Sequence, residues 1–222
     1  MNHHGSGVYH ERQSLQLCAL HALNNLFQDG QAFSRAQLDE ICARLSPDNL
    51  INPHKSVLGL GNYDINVIMS ALETKNHAAV WFDKRKGVDI LDLDRVYGFI
   101  LNIPTDYEWG FIRIPLKRRH WTSVRRIQGH YYNLDSKLDY PELIGKEAEV
   151  TKYLKDQIAH KEKELFVVVT KEVDESRAWN RTSQQQQQPK PSTSGYSSSS
   201  PSSSSLAAAG AAQSIDMSTD LS

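Results

Sequence analysis

Cysteine is scarce in this chain: among 222 residues only Cys18 and Cys42 carry a thiol. Two thiols cannot build the disulfide framework of a small secreted domain, and no Cys/His spacing suits a structural zinc site. A reducing compartment, cytoplasmic or nuclear, is therefore expected. An excess of charge is missing too, the formal net charge being -1, so no global field would recruit nucleic acid or an anionic membrane. The opening residues Met1 to Gly7 hold no signal-peptide core. No stretch approaches the roughly 18 apolar residues of a membrane span, so no integral membrane segment is expected. The histidines fall in no metal-ligand spacing, and neither a metal nor another cofactor is expected. What remains is length enough for one well-packed domain with residues to spare.

Composition divides the chain. Beyond Ser183 come Gln184 to Gln188, Pro189-Lys190-Pro191, a serine-dominated stretch and Leu206-Ala207-Ala208-Ala209. Such sequence cannot bury enough apolar surface to offset its ordering entropy, so residues 176–222 are expected to form a disordered tail and 8–175 the domain. Within the domain, Ala19, Ala22, Leu23, Leu26 and Phe27 repeat at helical spacing, with Gly30 as a stop. Ser34 and Gln37 fit a capping box ahead of Leu38, Ile41, Cys42 and Leu45. A third helix is expected from a cap near Asn62, with Ile65, Ile68, Met69 and Leu72 facing inward; Ser46 to Leu60 reads as a loop or short arm. The second half is strand-like at 78–82, 99–103, 111–114, 120–127, 130–135 and 165–170, with a helix over 146–160. Helices first and local strand pairing afterwards predict an α+β fold, helices packed on a twisted antiparallel sheet.

Cys18 opens the first helix on the flank of its apolar stripe, where the positive end of the helix dipole favours a thiolate. Taken singly it also reads as an ordinary half-buried packing cysteine. Cys42 lies on a buried stripe and reads as core. A cysteine nucleophile needs a base, a group to orient that base and an oxyanion donor. Gln13, on the loop entering the helix, supplies a candidate donor, or is a solvated loop glutamine. His120 supplies a candidate base, or is a structural strand histidine. Gln128-Gly129 as a two-residue turn pairs Ile127 with His130, Val124 with Asn133 and Thr122 with Asp135. His120 and Asp135 then become diagonal neighbours on one sheet face, with Asn133 one step too far. His21 is a rival base, but its rotation points it toward solvent or a neighbouring loop.

Tyr9-His10-Glu11-Arg12-Gln13, the run from Leu17 through Cys18 and His21 to Asn24-Asn25-Leu26, His120-Trp121 and Asn133-Leu134-Asp135-Ser136 together resemble a Josephin domain, over roughly residues 8–172. The likeness is to the small Josephins rather than to the polyglutamine ataxin, which has asparagine where Asp135 stands and a longer helical arm than Ser46 to Leu60. The resemblance implies a papain-like cysteine protease fold and hydrolysis of ubiquitin conjugates. It implies Cys18 as nucleophile, His120 as general base and acid, Asp135 as its orienting residue and Gln13 as oxyanion donor. Ubiquitin and ubiquitinated proteins are the implied partners, and a monomer is expected. A ubiquitin-binding module with little turnover and a transferase using the same residues are the alternative readings. Lys117, Arg118, Arg119, Arg125 and Arg126 suit either partner positioning or a solvated strand face.

Overall fold

The computed structural model describes residues 7–14, 16–47, 63–109 and 112–183. Along the chain run α1 (Cys18–Phe27), α2 (Arg35–Leu45), α3 (Ile65–Thr74), β1 (His77–Trp81), β2 (Gly98–Trp109), β3 (Ile112–Ile127), β4 (His130–Asn133), β5 (Glu142–Gly145), α4 (Glu147–Ala159), β6 (Glu164–Thr170) and α5 (Lys171–Glu175). The strands form one sheet in the order β1-β6-β2-β3-β4-β5, and every pair is antiparallel. One core joins α1, α2 and α3 to Ile100, Trp121, Phe166 and Val168. The other joins Val150 and Leu154 of α4 to Phe99, Leu101, Val124, Leu165, Val167 and Val169. Because both faces of β6 are covered, its sequence is a continuous apolar run rather than an alternation.

Local chemistry explains most element boundaries. Ser34 and Gln37 do form a reciprocal capping box on α2. Asp64 caps α3, its Oδ1 accepting from the N–H groups of Asn66 and Val67 at 3.0 and 3.2 Å. The expected cap near Asn62, and residues 48–60 of the expected arm, lie outside the described residues. Gln28 ends α1 two residues before Gly30, in the left-handed region at φ 58°. Its side chain offsets that conformation by bracketing Tyr9: Oε1 accepts from Tyr9 N–H at 2.8 Å, and Nε2 donates to Tyr9 O at 3.0 Å. Gly98 lets α1 lie close on β2, since a Cβ there would stand 2.6 Å from Leu26 Cδ1 and 2.8 Å from Val124 O.

Several expectations need correction. Every residue of α1 from Cys18 to Leu26 is buried, so the helix is central rather than half-solvated. Met69 and Leu45 are exposed, not inward; α3 buries Val67, Ile68, Ala71 and Leu72, a stripe that Met69 lies just beyond, and Leu45 is the last residue of α2. The part of 111–114 that is described, from Ile112 on, and the stretch 120–127 belong to a single strand β3, paired with the shorter β2. Residues 176–183, read from composition as the start of a tail, are folded onto the domain. Asp92 N–H donates to Trp179 O at 2.8 Å, Leu91 bridges Asn180, and Trp179 packs against the second core. Residues 184–222 lie outside the described residues.

Candidate active site

The β3–β4 hairpin sets the geometry of the site. Gln128 and Gly129 have φ of 50° and 84°, the signature of a two-residue turn whose twist matches the strands. The register that follows pairs Ile127 with His130 and Val124 with Asn133. Leu134 N–H then donates to Ser123 O at 2.8 Å, carrying the alignment one residue further. Asp135 is thereby delivered to His120: His120 Nε2 lies 2.6 Å from Asp135 Oδ1, with the two side chains 2% and 15% exposed. Asn133 does not reach His120 in this arrangement. Its Oδ1 accepts from Asp135 N–H at 3.2 Å and from Thr122 Oγ1 at 3.4 Å, and its Nδ2 donates to Glu142 at 3.0 Å.

Cys18, the first residue of α1, is buried and hydrogen-bonded to the His120 imidazole. Its N–H belongs to the first helical turn, where backbone donors lack intrahelical acceptors. Burial works against a charged His120, but hydrogen bonds with Asp135 and Cys18, and their negative charge, outweigh it and raise its pKa above the ordinary histidine value. Burial likewise works against an ionised Asp135. Hydrogen bonding to His120, then its charge, then the Lys137 N–H outweigh that and hold the carboxyl below its usual range. With Nε2 donating to an ionised carboxylate, the other ring nitrogen, Nδ1, is left for the Cys18 sulfur.

Gln13 is anchored through its backbone to the segment that follows Asp135. Its backbone N–H donates to Ser136 O at 2.6 Å, so a donor for an oxyanion would have to be its side-chain amide. Two neighbouring carbonyls are held as well: Asn25 Nδ2 donates to Leu134 O, and His10 Nε2 to Asp135 O, both at 3.0 Å. The segment that carries Asp135 is thus held at three successive carbonyls by polar groups of the N-terminal segment, His10 and Gln13, and of α1. His10, Asn24 and Asn25 were given no role from sequence; they stand only within the motifs that carry the resemblance. His21 turns toward a neighbouring loop, as expected, but is buried there, bonded to Glu11 and Ser14.

The basic run is mostly spent within the chain. Arg125 donates to Leu26 O at the end of α1 and to Tyr97 Oη, and stacks 4.1 Å over the Tyr97 ring. Arg126 pairs with Asp94 at 2.7 Å, and Arg119 donates to Glu162 O. The side chains of Lys117 and Arg118 lie outside the described part. Among the described residues no three His, Cys, Asp or Glu side chains group to hold a metal ion, and no helix is long and apolar enough to cross a membrane.

A buried thiol at the head of a central helix, facing an imidazole and a carboxylate carried by an antiparallel sheet, defines the papain-like α+β class. Within that class the chain belongs to the Josephin family, whose model matches residues 13–169. It is similar to Josephin-2 of Homo sapiens, 53% identical over 175 residues that span 79% of this chain and 93% of that protein. A Josephin-like protein of Drosophila melanogaster is 49% identical over 169 residues, 76% of each chain. Ataxin-3 of Gallus gallus is 29% identical over 159 residues, 62% of this chain and 39% of that one.

Proposed function

We propose that the protein is a cysteine-type deubiquitinase that hydrolyses isopeptide and peptide bonds at the ubiquitin C-terminus. The observation that carries this reading is the bridging position of His120, bonded on one side to Asp135 and on the other to Cys18. That arrangement favours a thiolate–imidazolium pair, the state in which a cysteine is nucleophilic. Cys18 Sγ attacks the terminal carbonyl carbon of ubiquitin. The developing oxyanion accepts from the Cys18 backbone N–H and the Gln13 side-chain amide, near the positive end of α1. His120 gives its Nδ1 proton to the departing lysine amine, leaving a thioester. It then takes a proton from water as the hydroxide attacks, and the thiol and free ubiquitin are released. Asp135 holds the ring in the required tautomer and favours its charged form.

The test is incubation with a ubiquitin C-terminal electrophile, read by mass shift, alongside cleavage of di-ubiquitin. The expected results are one adduct, at Cys18, and release of mono-ubiquitin. Ubiquitin capture with neither adduct nor cleavage would overturn the reading in favour of a binding module. Transfer of ubiquitin to an added amine in preference to water would overturn hydrolysis as the reaction.

A further inference from the structure

A second imidazole–carboxylate pair lies beside the site and takes no part in the steps above. His21 Nδ1 is 2.6 Å from Glu11 Oε2, and the side chains are only 9% and 20% exposed. Glu11 Oε1 accepts from the Tyr9 hydroxyl at 2.5 Å and from Asn24 Nδ2 at 3.1 Å. Burial alone would favour a neutral Glu11, but the hydrogen bonds from His21, Tyr9 and Asn24 outweigh it and lower its pKa. Across the ring, His21 Nε2 meets the backbone N–H of Ser14 at 3.2 Å and the Ser14 hydroxyl at 3.3 Å. A backbone N–H only donates, so Nε2 is the accepting nitrogen and the ring proton sits on Nδ1, facing Glu11. The Ser14 carbonyl in turn accepts from Leu17 N–H at 3.4 Å. Ser14 is therefore tied through its N–H to α1 and through its carbonyl to Leu17, the residue that caps α1, while the adjoining Gln13 N–H is tied to Ser136.

We infer that His21, oriented by Glu11, is a positioning residue: by accepting the Ser14 N–H it fixes the Gln13–Ser14 turn against the head of α1, so that the Gln13 side-chain amide is held for the oxyanion formed at Cys18. This role rests on the deubiquitinase reading. It differs from a merely structural one in what it affects. Oxyanion stabilisation counts only where a tetrahedral intermediate forms. Alkylation of a thiolate by iodoacetamide forms none, and reports on Cys18 and His120 alone.

The side-chain geometry supplies a paired test. In His21→Asn the amide nitrogen replaces Nδ1 and still donates to Glu11, but nothing accepts from Ser14. In His21→Gln the amide oxygen reaches the Nε2 position and can still accept from Ser14. On a fluorogenic ubiquitin C-terminal amide, His21→Asn is expected to lower kcat by about 10- to 100-fold, with KM and the iodoacetamide rate at Cys18 within about twofold. His21→Gln should recover most of the loss. An unchanged kcat in folded His21→Asn, a parallel fall in alkylation, or failure of His21→Gln to recover activity would overturn the role. Nitrogen-15 spectra of the wild-type protein check the clamp without reference to turnover: a proton on Nε2 of His21, or a rapidly exchanging Ser14 amide, overturns it. Wild-type protein that is alkylated at Cys18 and shows the Nδ1–H tautomer, yet is inert toward the ubiquitin amide, supports the clamp and overturns the deubiquitinase reading instead.

Discussion

Replacing Asp135 probes the hairpin register and the site chemistry together. In Asp135→Ala the 2.6 Å bond to His120 Nε2 is lost, and Oδ1 no longer accepts the Lys137 N–H at 2.9 Å. Lys137 is exposed and water can replace its partner, whereas His120 is buried, so its Nε2–H is left without an acceptor. Stranding one such donor costs about 1–3 kcal/mol, and the folded protein should lose about 2 kcal/mol of stability. The effect on turnover is larger, because a free ring samples the wrong tautomer and loses the charge that stabilises imidazolium. A positioned general acid–base contributes about 10²–10⁴-fold, so kcat should fall about 10³-fold, or about 4 kcal/mol at 1.36 kcal/mol per decade.

Asp135→Asn separates geometry from charge. Its amide oxygen can still accept from Nε2, so the expected loss is about tenfold, near 1.4 kcal/mol. The sign of the pH effect follows from the cause of the shift at His120. Asp135 raises that pKa, so the imidazolium survives to higher pH in the wild type, and the Asn variant should lose it at lower pH. The alkaline limb of kcat/KM therefore moves down in Asp135→Asn. The acid side of stability moves by the opposite logic. Asp135 has a depressed folded pKa, so its contribution is present above the ordinary aspartate value and lost as pH falls through the folded one. Thermal melts and hydrolysis of a fluorogenic ubiquitin amide from acid to alkaline pH provide both readouts. A folded Asp135→Ala that retains wild-type kcat, an Asn133→Ala that is the more damaging, or an alkaline limb that moves up in Asp135→Asn would refute the reasoning.

Cys18→Ala should abolish both turnover and electrophile labelling, whereas Cys42→Ala, fully inside the first core, should retain both and lose about 1 kcal/mol of stability; labelling at Cys42 in place of Cys18 would reverse the assignment. A chain ending at Glu175 loses the Trp179 packing and the Asp92–Trp179 bond, worth about 2 kcal/mol together. Its melting temperature should fall by about 4–8 °C, while a chain ending at Ser183 should melt as the full protein does; equal melting of the two would show that residues 176–183 add nothing. Arg125→Ala removes the donor that closes the C-terminal end of α1 and its stack on Tyr97. It should cost about 2 kcal/mol by chemical denaturation and leave the iodoacetamide rate at Cys18 unchanged, since it acts at the far end of the helix.

The parts of the fold legible in the sequence are those fixed by neighbours a few residues away. Ser34 and Gln37 find each other within one turn of helix, and Gln128-Gly129 sets its own dihedrals, so α2 and the β3–β4 register follow from short motifs. The strand β5 was invisible because Glu142 to Gly145 has neither alternation nor β-branched density; it forms by pairing with β4, itself placed by the turn before it. Composition misjudged residues 176–183 for a similar reason. Trp179 and Asn180 stand among polar residues, and only their partners Asp92 and Leu91, far back in the chain, make them part of the domain.

The candidate site divides along the same line. Cys18, His120 and Asp135 were legible because the helix start and the hairpin register are local, and two local rules sufficed to bring the last two together. The groups that hold them were not. Asn25 occupies a helical position that periodicity assigns to solvent, yet it is fully buried, accepting from Glu11 N–H at 2.6 Å and donating to Leu134 O across 109 residues of chain. Asn24 is likewise buried, closing on the backbone of Phe33 through both ends of its amide at 3.0 and 3.2 Å. A hydropathy pattern scores each side chain by its own preference for water, and by that measure an asparagine inside a helix is misplaced. Its burial becomes favourable only when all of its donors and acceptors are met, a condition set here by the segment around Glu11 and the segment that carries Asp135. The helix bearing Cys18 can therefore be enclosed on every side only once that N-terminal segment is in place, so the order that positions the thiol is a property of the assembled fold and of no single stretch of sequence.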